Sequence, residues 1–327
     1  MPKTDEFQRN ELGATANPLM TLVSLILVLL LEQWQPLANR RAVTNPLARY
    51  ARFLQRQFNA GEAQHGVIAW MFGVLPAVGL AWGAYWVLST IHPLLGLALN
   101  VAVLYATMGF RQASHYFSEI QKCIKEGELD RAREVLALWR GRSALSLSRE
   151  NIIRVTIEQA LAGSHRYVFG VVFWFVILPG PAGAILYRIA AYFHGRWGGV
   201  EEQEFGRFGW FAREAFYVID WIPARLAAIA FAIVGNFEDA IYCWHTQASR
   251  WSDRLLGVVL ASGAGAMGVR LGNPLPGDDG SIVDRPELGT GDDPDAPALD
   301  STVGLLWRAL VLWLALILIV TIVQALA

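Results

Sequence analysis

Long uncharged runs separate the charged parts of this chain. Residues 66–110 contain no Asp, Glu, Lys or Arg, and neither do residues 309–327. One helix needs about 20 apolar residues to cross a bilayer. The first run, 45 residues, is therefore enough for two crossings, and the second, nineteen residues, for about one. A third stretch is uncharged from Leu12 to Leu31, with its apolar core starting at Pro18. Its weakly basic start (Lys3, Arg9) is offset by Asp5, Glu6 and Glu11, and no small-residue cleavage site follows Leu31. That pattern predicts a retained, rather short span and not a removed leader. The 45-residue run breaks at Thr90-Ile91-His92-Pro93, and proline is poorly tolerated inside a helix. The expectation is a hairpin of two spans, near 67–89 and 94–110.

A more ambiguous stretch is Tyr167–Tyr187, uncharged but interrupted by Pro179-Gly180-Pro181. Each half, at most about twelve residues, gives no more than about 18 Å of helix, too short to span alone. The favoured reading is a broken or re-entrant pair of helices, permitted at membrane depth only where protein or a wet cavity covers the freed backbone. The alternative is one kinked span, which would place residues 194–303 and their arginines on the outer side. Residues 111–139 predict two helices joined at Glu126-Gly127, the second with acidic, basic and apolar residues at helical spacing. From Gly272 to Asp300 eight acidic residues face one arginine in a Gly- and Pro-rich context, which predicts a flexible acidic loop, bounded here as 273–303.

Charge decides orientation. Of 27 Lys and Arg, 25 lie between Glu32 and Arg308. Arginines 40, 41, 49, 52 and 56 precede the hairpin, while Arg111, Lys122, Lys125, Arg131 and Arg133 follow it. The positive-inside tendency puts both flanks in the cytoplasm. The expected fold is all-α and polytopic. It has four transmembrane helices with both termini outside, a broken membrane-embedded hairpin, and a cytoplasmic helical portion at 111–166 within one membrane domain, 1–327. The expected location is a bacterial inner membrane with most of the soluble mass cytoplasmic.

Net charge near zero, −1, gives no basis for nucleic-acid binding. Cys123 and Cys243 have no metal-site spacing and are expected to be reduced. No nucleotide-binding loop, zinc-protease motif or nucleophile elbow is present. The Gly263–Gly268 run suggests a phosphate loop but lacks its Gly-Lys-Ser/Thr ending, so close helix packing through small residues is the better reading. The tryptophans read mostly as interface anchors.

Several segments, in order, resemble one membrane family, the CobD/CbiB cobalamin-biosynthesis proteins and their relative AmpE. The stretch from Met20 to Glu32 is similar to the first span of AmpE and its following acid. Asn45-Pro46-Leu47-Ala48-Arg49 resembles the family's His-Pro-Val-Arg, and Arg140-Gly141-Arg142-Ser143 its Val-Gly-Arg-Asp. Tyr217-Val-Ile-Asp-Trp-Ile-Pro-Ala-Arg-Leu226 is the sharpest likeness, to a segment ending Tyr-Leu-Pro-Ala-Arg-Leu in CbiB and Trp-Val-Pro-Val-Arg-Leu in AmpE. Gly265–Gly272 resembles the Gly-Ala-Leu-Gly-Ile-Gln-Leu-Gly run of CbiB, and Val283-Asp-Arg-Pro286 follows in the expected place.

The resemblance implies adenosylcobinamide-phosphate synthase chemistry, in which an aminopropanol-type amine is joined to a corrinoid carboxylate with ATP and Mg²⁺. Such chemistry calls for carboxylates, to hold the metal and to handle the amine proton. The chain departs from the family pattern at several acids. Where the family has Ala-Glu-Asn-Thr-Val-Asp-Gly it has Leu161–Tyr167, with Ala162, Gly163 and Arg166 in place of Glu, Asn and Asp. His194 replaces another Asp, and Phe216 and Tyr217 replace an Asp pair. Two readings follow. The first is a degenerate, non-catalytic, AmpE-like binding or signalling protein that keeps a cleft for a corrinoid or other large ligand. The second is a cobalamin-biosynthesis synthase with a rearranged site. A transporter is a third reading with little to support it.

The ligand-binding candidates are Glu32, Arg142, Glu158, Asp220 and Arg225, and Asp278 and Asp279, with Asp284, are candidates for a divalent ion. Each has a plainer reading. Glu32 suits a solvated membrane boundary, and Glu158 an i,i+4 helix pair with Arg154. Arg225 could clamp Asp220 or snorkel. The three Asp suit a solvated linker, and His194 an interfacial histidine.

Overall fold

The computed structural model describes residues 18–34, 41–59, 61–198, 207–277 and 281–326. The chain is an all-α, polytopic membrane protein. Its helices are α1 (Pro18–Trp34), α2 (Arg41–Phe58), α3 (Ala63–Ile91), α4 (Pro93–Thr107), α5 (Phe110–Glu126), α6 (Leu129–Arg140), α7 (Arg149–Ile177), α8 (Ala182–Trp197), α9 (Trp210–Val234), α10 (Phe237–Gln247), α11 (Arg254–Met267) and α12 (Ala296–Leu326). Two antiparallel strand pairs interrupt them. β1 (Arg270–Leu271) pairs with β4 (Leu288–Gly289), and β2 (Leu275–Pro276) with β3 (Ile282–Val283).

Among the described residues, four helices are long and apolar enough to cross a bilayer: α3, α7, α9 and α12. The number agrees with expectation, but the set does not. The hairpin break falls at His92, whose Nδ1 caps α4 by accepting from the Leu94 amide at 3.2 Å, with Pro93 opening the helix. Among the described residues α1 has 17 and α4 has 15, fewer than the about 20 of a typical crossing, whereas α7 and α9 were not expected to be spans. The physical reason is charge neutralised inside the fold. Arg154, Glu158 and Arg166 interrupt the hydropathy of α7, but each is paired, so the helix runs on through a π-helical turn at His165–Phe169 to Ile177. The break at Pro179-Gly180-Pro181 is present between α7 and α8, so the kinked continuous span is not what forms. Gly180 has φ +63°, and a Cβ there would run into the Tyr85 ring.

The described chain divides into two compact units. One takes residues up to 109 together with 170–220 and 317–326; the other takes 110–169 and 221–316. In the first, small residues set close approaches. A side chain at Gly66 would strike the Phe208 carbonyl, and one at Gly170 the Tyr187 ring. In its buried core Phe193 stacks on Trp197, and Phe208 meets Trp197 edge to face.

The second unit has a continuous apolar core drawn from α5–α7, α9–α12 and the strands. α5 and α6 meet at Gly127, φ +79°, as expected. The Gly263–Gly268 run lies on α11 and packs closely. A Cβ at Gly263 would come within 2.8 Å of Leu161, and one at Gly265 would strike the Asp239 carbonyl. Ser262 Oγ donates to the Ala228 carbonyl at 2.8 Å. The segment expected as a flexible loop carries three of the four strands, β2, β3 and β4, and the start of α12. Both cysteines are buried and free.

Candidate functional site

The strands of the second unit nest into one antiparallel ribbon. Arg270 faces Gly289 and Leu271 faces Leu288, while further out Leu275 faces Val283 and Pro276 faces Ile282. Local sequence makes the bend between the two ladders. Gly272 (φ +76°) and Asn273 (φ +65°) both take the left-handed conformation, and a Cβ on Gly272 would strike the Pro286 carbonyl. Leu271, Leu275 and Leu288 are buried and hold the ribbon to the core. Gln247 reads the Gly289 backbone twice, donating to its carbonyl at 3.1 Å and accepting from its amide at 2.5 Å.

Glu158 of α7 anchors the middle of the ribbon. Its Oε1 accepts from the Gly272 amide at 2.9 Å and from Arg285 Nη2 at 3.2 Å, and its Oε2 accepts from Arg285 Nη1 at 2.7 Å. Arg285 also donates to the carbonyls of Gly272 (2.7 Å) and Asn273 (3.1 Å). The pair is a bidentate fork with charge-assisted bonds, buried on the Glu158 side and partly buried on the Arg285 side (side-chain exposure 8% and 16%). One turn earlier on α7, Arg154 donates to Asn151 Oδ1 at 2.6 Å and to Asp293 Oδ1 at 2.9 Å, and Arg270 approaches the other oxygen of Asp293 at 3.7 Å. Three turns later Arg166 meets Asp253 at 2.7 Å. One helix therefore holds segments 253, 270–285 and 293 by ion pairs. Charged groups on a helix of membrane-spanning length are tolerated when neutralised in this way.

The sequence-derived candidates do not gather at one point. Glu158 is engaged as described, and the expected Arg154–Glu158 pair does not form because each side chain has a partner outside its own helix. Arg142 is exposed, on the rim of an open depression of about 530 Å³ that Glu134, Ala137, Leu138, Gly141 and Ser143 also line. Arg225 does not clamp Asp220. It donates to the Trp221 carbonyl at 2.9 Å and stacks 3.8 Å from the centre of the Trp221 ring. Asp220 is buried and accepts from Tyr187 Oη at 2.8 Å. Glu32 is buried, 5% exposed, where a solvated acid was the plainer expectation. His194 stacks on Phe216, ring centres 4.8 Å apart. Asp284 is exposed; Asp278 and Asp279 lie outside the described residues.

Among the described residues no group of three His, Cys, Asp or Glu could hold a metal ion. The oxygens of Glu158 are already engaged by Arg285 and Gly272, so in this arrangement it orders the ribbon and does not ligate. Burial pushes the thiols of Cys243 and, against the opposing charge of Arg131, Cys123 above their ordinary range. The residues that sequence reasoning missed are Arg285, Asp293, Asp253 and Tyr187. Arg285 carried a signal, being the lone cation among eight acids between Gly272 and Asp300.

Three comparisons bear on the arrangement. The profile of the family described as CobD/Cbib protein matches residues 24–325. The chain is similar to the cobalamin biosynthesis protein CobD of Stutzerimonas stutzeri (strain A1501), 33% identical over 281 residues, covering 84% of this chain and 90% of that protein. It is 35% identical over 233 residues to the CobD protein of Chromobacterium violaceum, covering 71% and 73%. It is 25% identical over 259 residues to the cobalamin biosynthesis protein CbiB of Salmonella typhimurium (strain LT2), covering 77% and 80%. No solved structure matches it.

Proposed function

The chain belongs to the CobD/CbiB family, and from that premise we propose that it acts in cobalamin biosynthesis as an adenosylcobinamide-phosphate synthase. The reaction joins an aminopropanol phosphate amine to a corrinoid side-chain carboxylate, with Mg·ATP as co-substrate. The observation that carries this reading is the meeting of three segments at one buried ion pair. Glu158, the Gly265–Gly272 run and Val283–Pro286 are places where the chain resembles the biosynthetic branch, and the Glu158–Arg285 fork with its Gly272 bond ties all three.

The degenerate, AmpE-like reading gives way to this one. The relatives reported above carry biosynthetic names over most of their length. Losses of acid also have a local structural answer at one position, since Arg166 meets Asp253. In this proposal the corrinoid is the large ligand and the bilayer its setting. The protein resides in a bacterial inner membrane, with the strand ribbon on the cytoplasmic side where ATP is found. In this proposal Mg²⁺ enters as the counter-ion of the nucleotide.

The test uses detergent-purified protein with adenosylcobyric acid, aminopropanol phosphate and Mg·ATP, with mass analysis of the corrinoid. The expected product is the amide. Corrinoid binding without amide, from folded protein, would overturn the synthase reading in favour of a binding protein.

A further inference from the structure

Helix α2 carries charge of one sign. Its sequence, Arg-Ala-Val-Thr-Asn-Pro-Leu-Ala-Arg-Tyr-Ala-Arg-Phe-Leu-Gln-Arg-Gln-Phe, has four arginines and no acid. At 100° per residue, Arg49, Arg52 and Arg56 fall within an arc of about 60°. Ala51 and Leu54 on the opposite side are buried, at 0% and 3% exposure. The three arginines are exposed, and none forms an ion pair among the described residues. Glu62 is the one acid in residues 41–92 and pairs with none of them. Elsewhere Arg131, Arg133, Arg154, Arg166 and Arg285 all have carboxylate partners. Arg142, Arg225 and Arg308 also lack a carboxylate partner among the described residues, but they stand singly, whereas α2 gathers three such arginines on one face.

The packing of α2 places it at the edge of the bilayer. α3 has 29 residues, about 44 Å of helix against a hydrocarbon core of about 30 Å. The surplus is about nine residues, so the boundary on this side falls between Ala63 and Phe72. Tyr50 Oη donates to the Phe72 carbonyl at 3.0 Å, Phe58 stacks on the Phe72 ring at 6.0 Å, and a Cβ on Gly73 would sit 2.9 Å from Leu54. Residues 50–58, about 12 Å of helix, thus meet two successive residues of α3. α2 therefore crosses α3 instead of running beside it, and lies near the plane of that boundary. Phe53, 56% exposed, and Tyr50, 36% exposed, flank the arginines. Trp34, 88% exposed, ends α1 just before this helix, a residue type favoured at the interface. Arg207, also exposed, is tied beside it through its amide to the Gly61 carbonyl at 3.2 Å.

We propose that α2 is an interfacial helix whose Arg49, Arg52 and Arg56 face binds the headgroup phosphates of anionic phospholipids. Guanidinium forks suit phosphate oxygens. The three arginines are exposed and spread over about 10 Å of helix surface, which fits several headgroups in a plane and not one soluble phosphate. The neighbouring exposed aromatics suit the apolar phase that acyl chains provide.

The test is lipid titration of the delipidated full-length protein in neutral detergent. Bound phosphatidylglycerol and phosphatidylcholine of identical chains are counted by native mass spectrometry, for the parent and for Arg52→Gln/Arg56→Gln. Each basic residue near an anionic surface is worth about fivefold in binding, so the double variant should lose about 25-fold for phosphatidylglycerol and change little for phosphatidylcholine. Arg52→Lys/Arg56→Lys should stay within about fivefold of the parent. Unchanged thermal midpoints would show that the fold survives the exchanges. Equal parental affinity for the two lipids, or an unaffected double variant, would overturn the proposal. So would competition by glycerol phosphate as effective as that by the intact lipid, which would point to a soluble phosphate site. None of these outcomes depends on synthase activity.

Discussion

Glu158→Ala should open the strand ribbon while leaving the rest of its unit folded. The substitution removes both acceptors of the Arg285 fork and the acceptor of the Gly272 amide. Removing one member of a buried ion pair costs roughly 3–5 kcal/mol, because the remaining charge has lost its partner in a poorly solvated place. Arg285 retains 16% side-chain exposure and two carbonyl acceptors. The lower end of that range, about 3 kcal/mol, is therefore expected. This corresponds to an increase of roughly 150-fold in the opening equilibrium of residues 270–289, at tenfold per 1.4 kcal/mol. Amide hydrogen exchange of peptides from that segment, in detergent, reads the quantity directly. Peptides from α5 and α6 serve as the internal reference. Exchange within about threefold of the parent would refute the reasoning, because it would mean that the ribbon is held without the ion pair. The double variant Glu158→Met/Arg285→Met separates pairing from volume. Replacing a buried pair with well-packed apolar residues is often nearly neutral, so it should recover most of the protection lost by the single variant.

Other outcomes follow from particular contacts. Gly170→Ala should lower the thermal midpoint by an amount equivalent to about 1–3 kcal/mol, since the added methyl meets the Tyr187 ring. Gly163→Ala, whose nearest neighbour is Tyr167 at 4.0 Å, should be neutral or up to about 1 kcal/mol stabilising, and the reverse order would contradict the packing. Arg142→Ala should change stability by less than about 0.5 kcal/mol, because the side chain is exposed; in the amide-forming assay it should weaken turnover if the depression at Gly141 receives substrate, and unchanged turnover would remove Arg142 from the site. Cys243 should react with iodoacetamide more slowly in the folded protein than in the unfolded chain at every pH, since burial raises its pKa. By linkage its contribution to stability is complete below the ordinary thiol range and falls as pH rises through it. Equal rates at pH 8 would contradict this.

Much was legible from residue order alone, because solvent acts on the chain locally. Uncharged runs of span length identify membrane helices, Pro93 and Pro179-Gly180-Pro181 mark where helices break, and Gly127 separates α5 from α6, since each rests on backbone chemistry within a few residues. The small-residue run at Gly263–Gly268 likewise announced close packing, though not the Leu161 and Asp239 surfaces it meets. The family likeness was also written in ordered short motifs. What the sequence hid was charge compensation. Sequence alone puts the first part of α7, up to residue 166, in a cytoplasmic segment because Arg154, Glu158 and Arg166 break its hydropathy, yet Asp293, Arg285 and Asp253 neutralise them from 87 to 139 residues away. The same pairing turned an acidic stretch expected to be loose into a two-ladder ribbon. It also turned Arg225 and Asp220 from partners into neighbours with separate contacts, Trp221 and Tyr187. Local sequence fixes where a backbone bends and which segments shun water. Which charge meets which depends on three-dimensional proximity, and only the tertiary fold decides that.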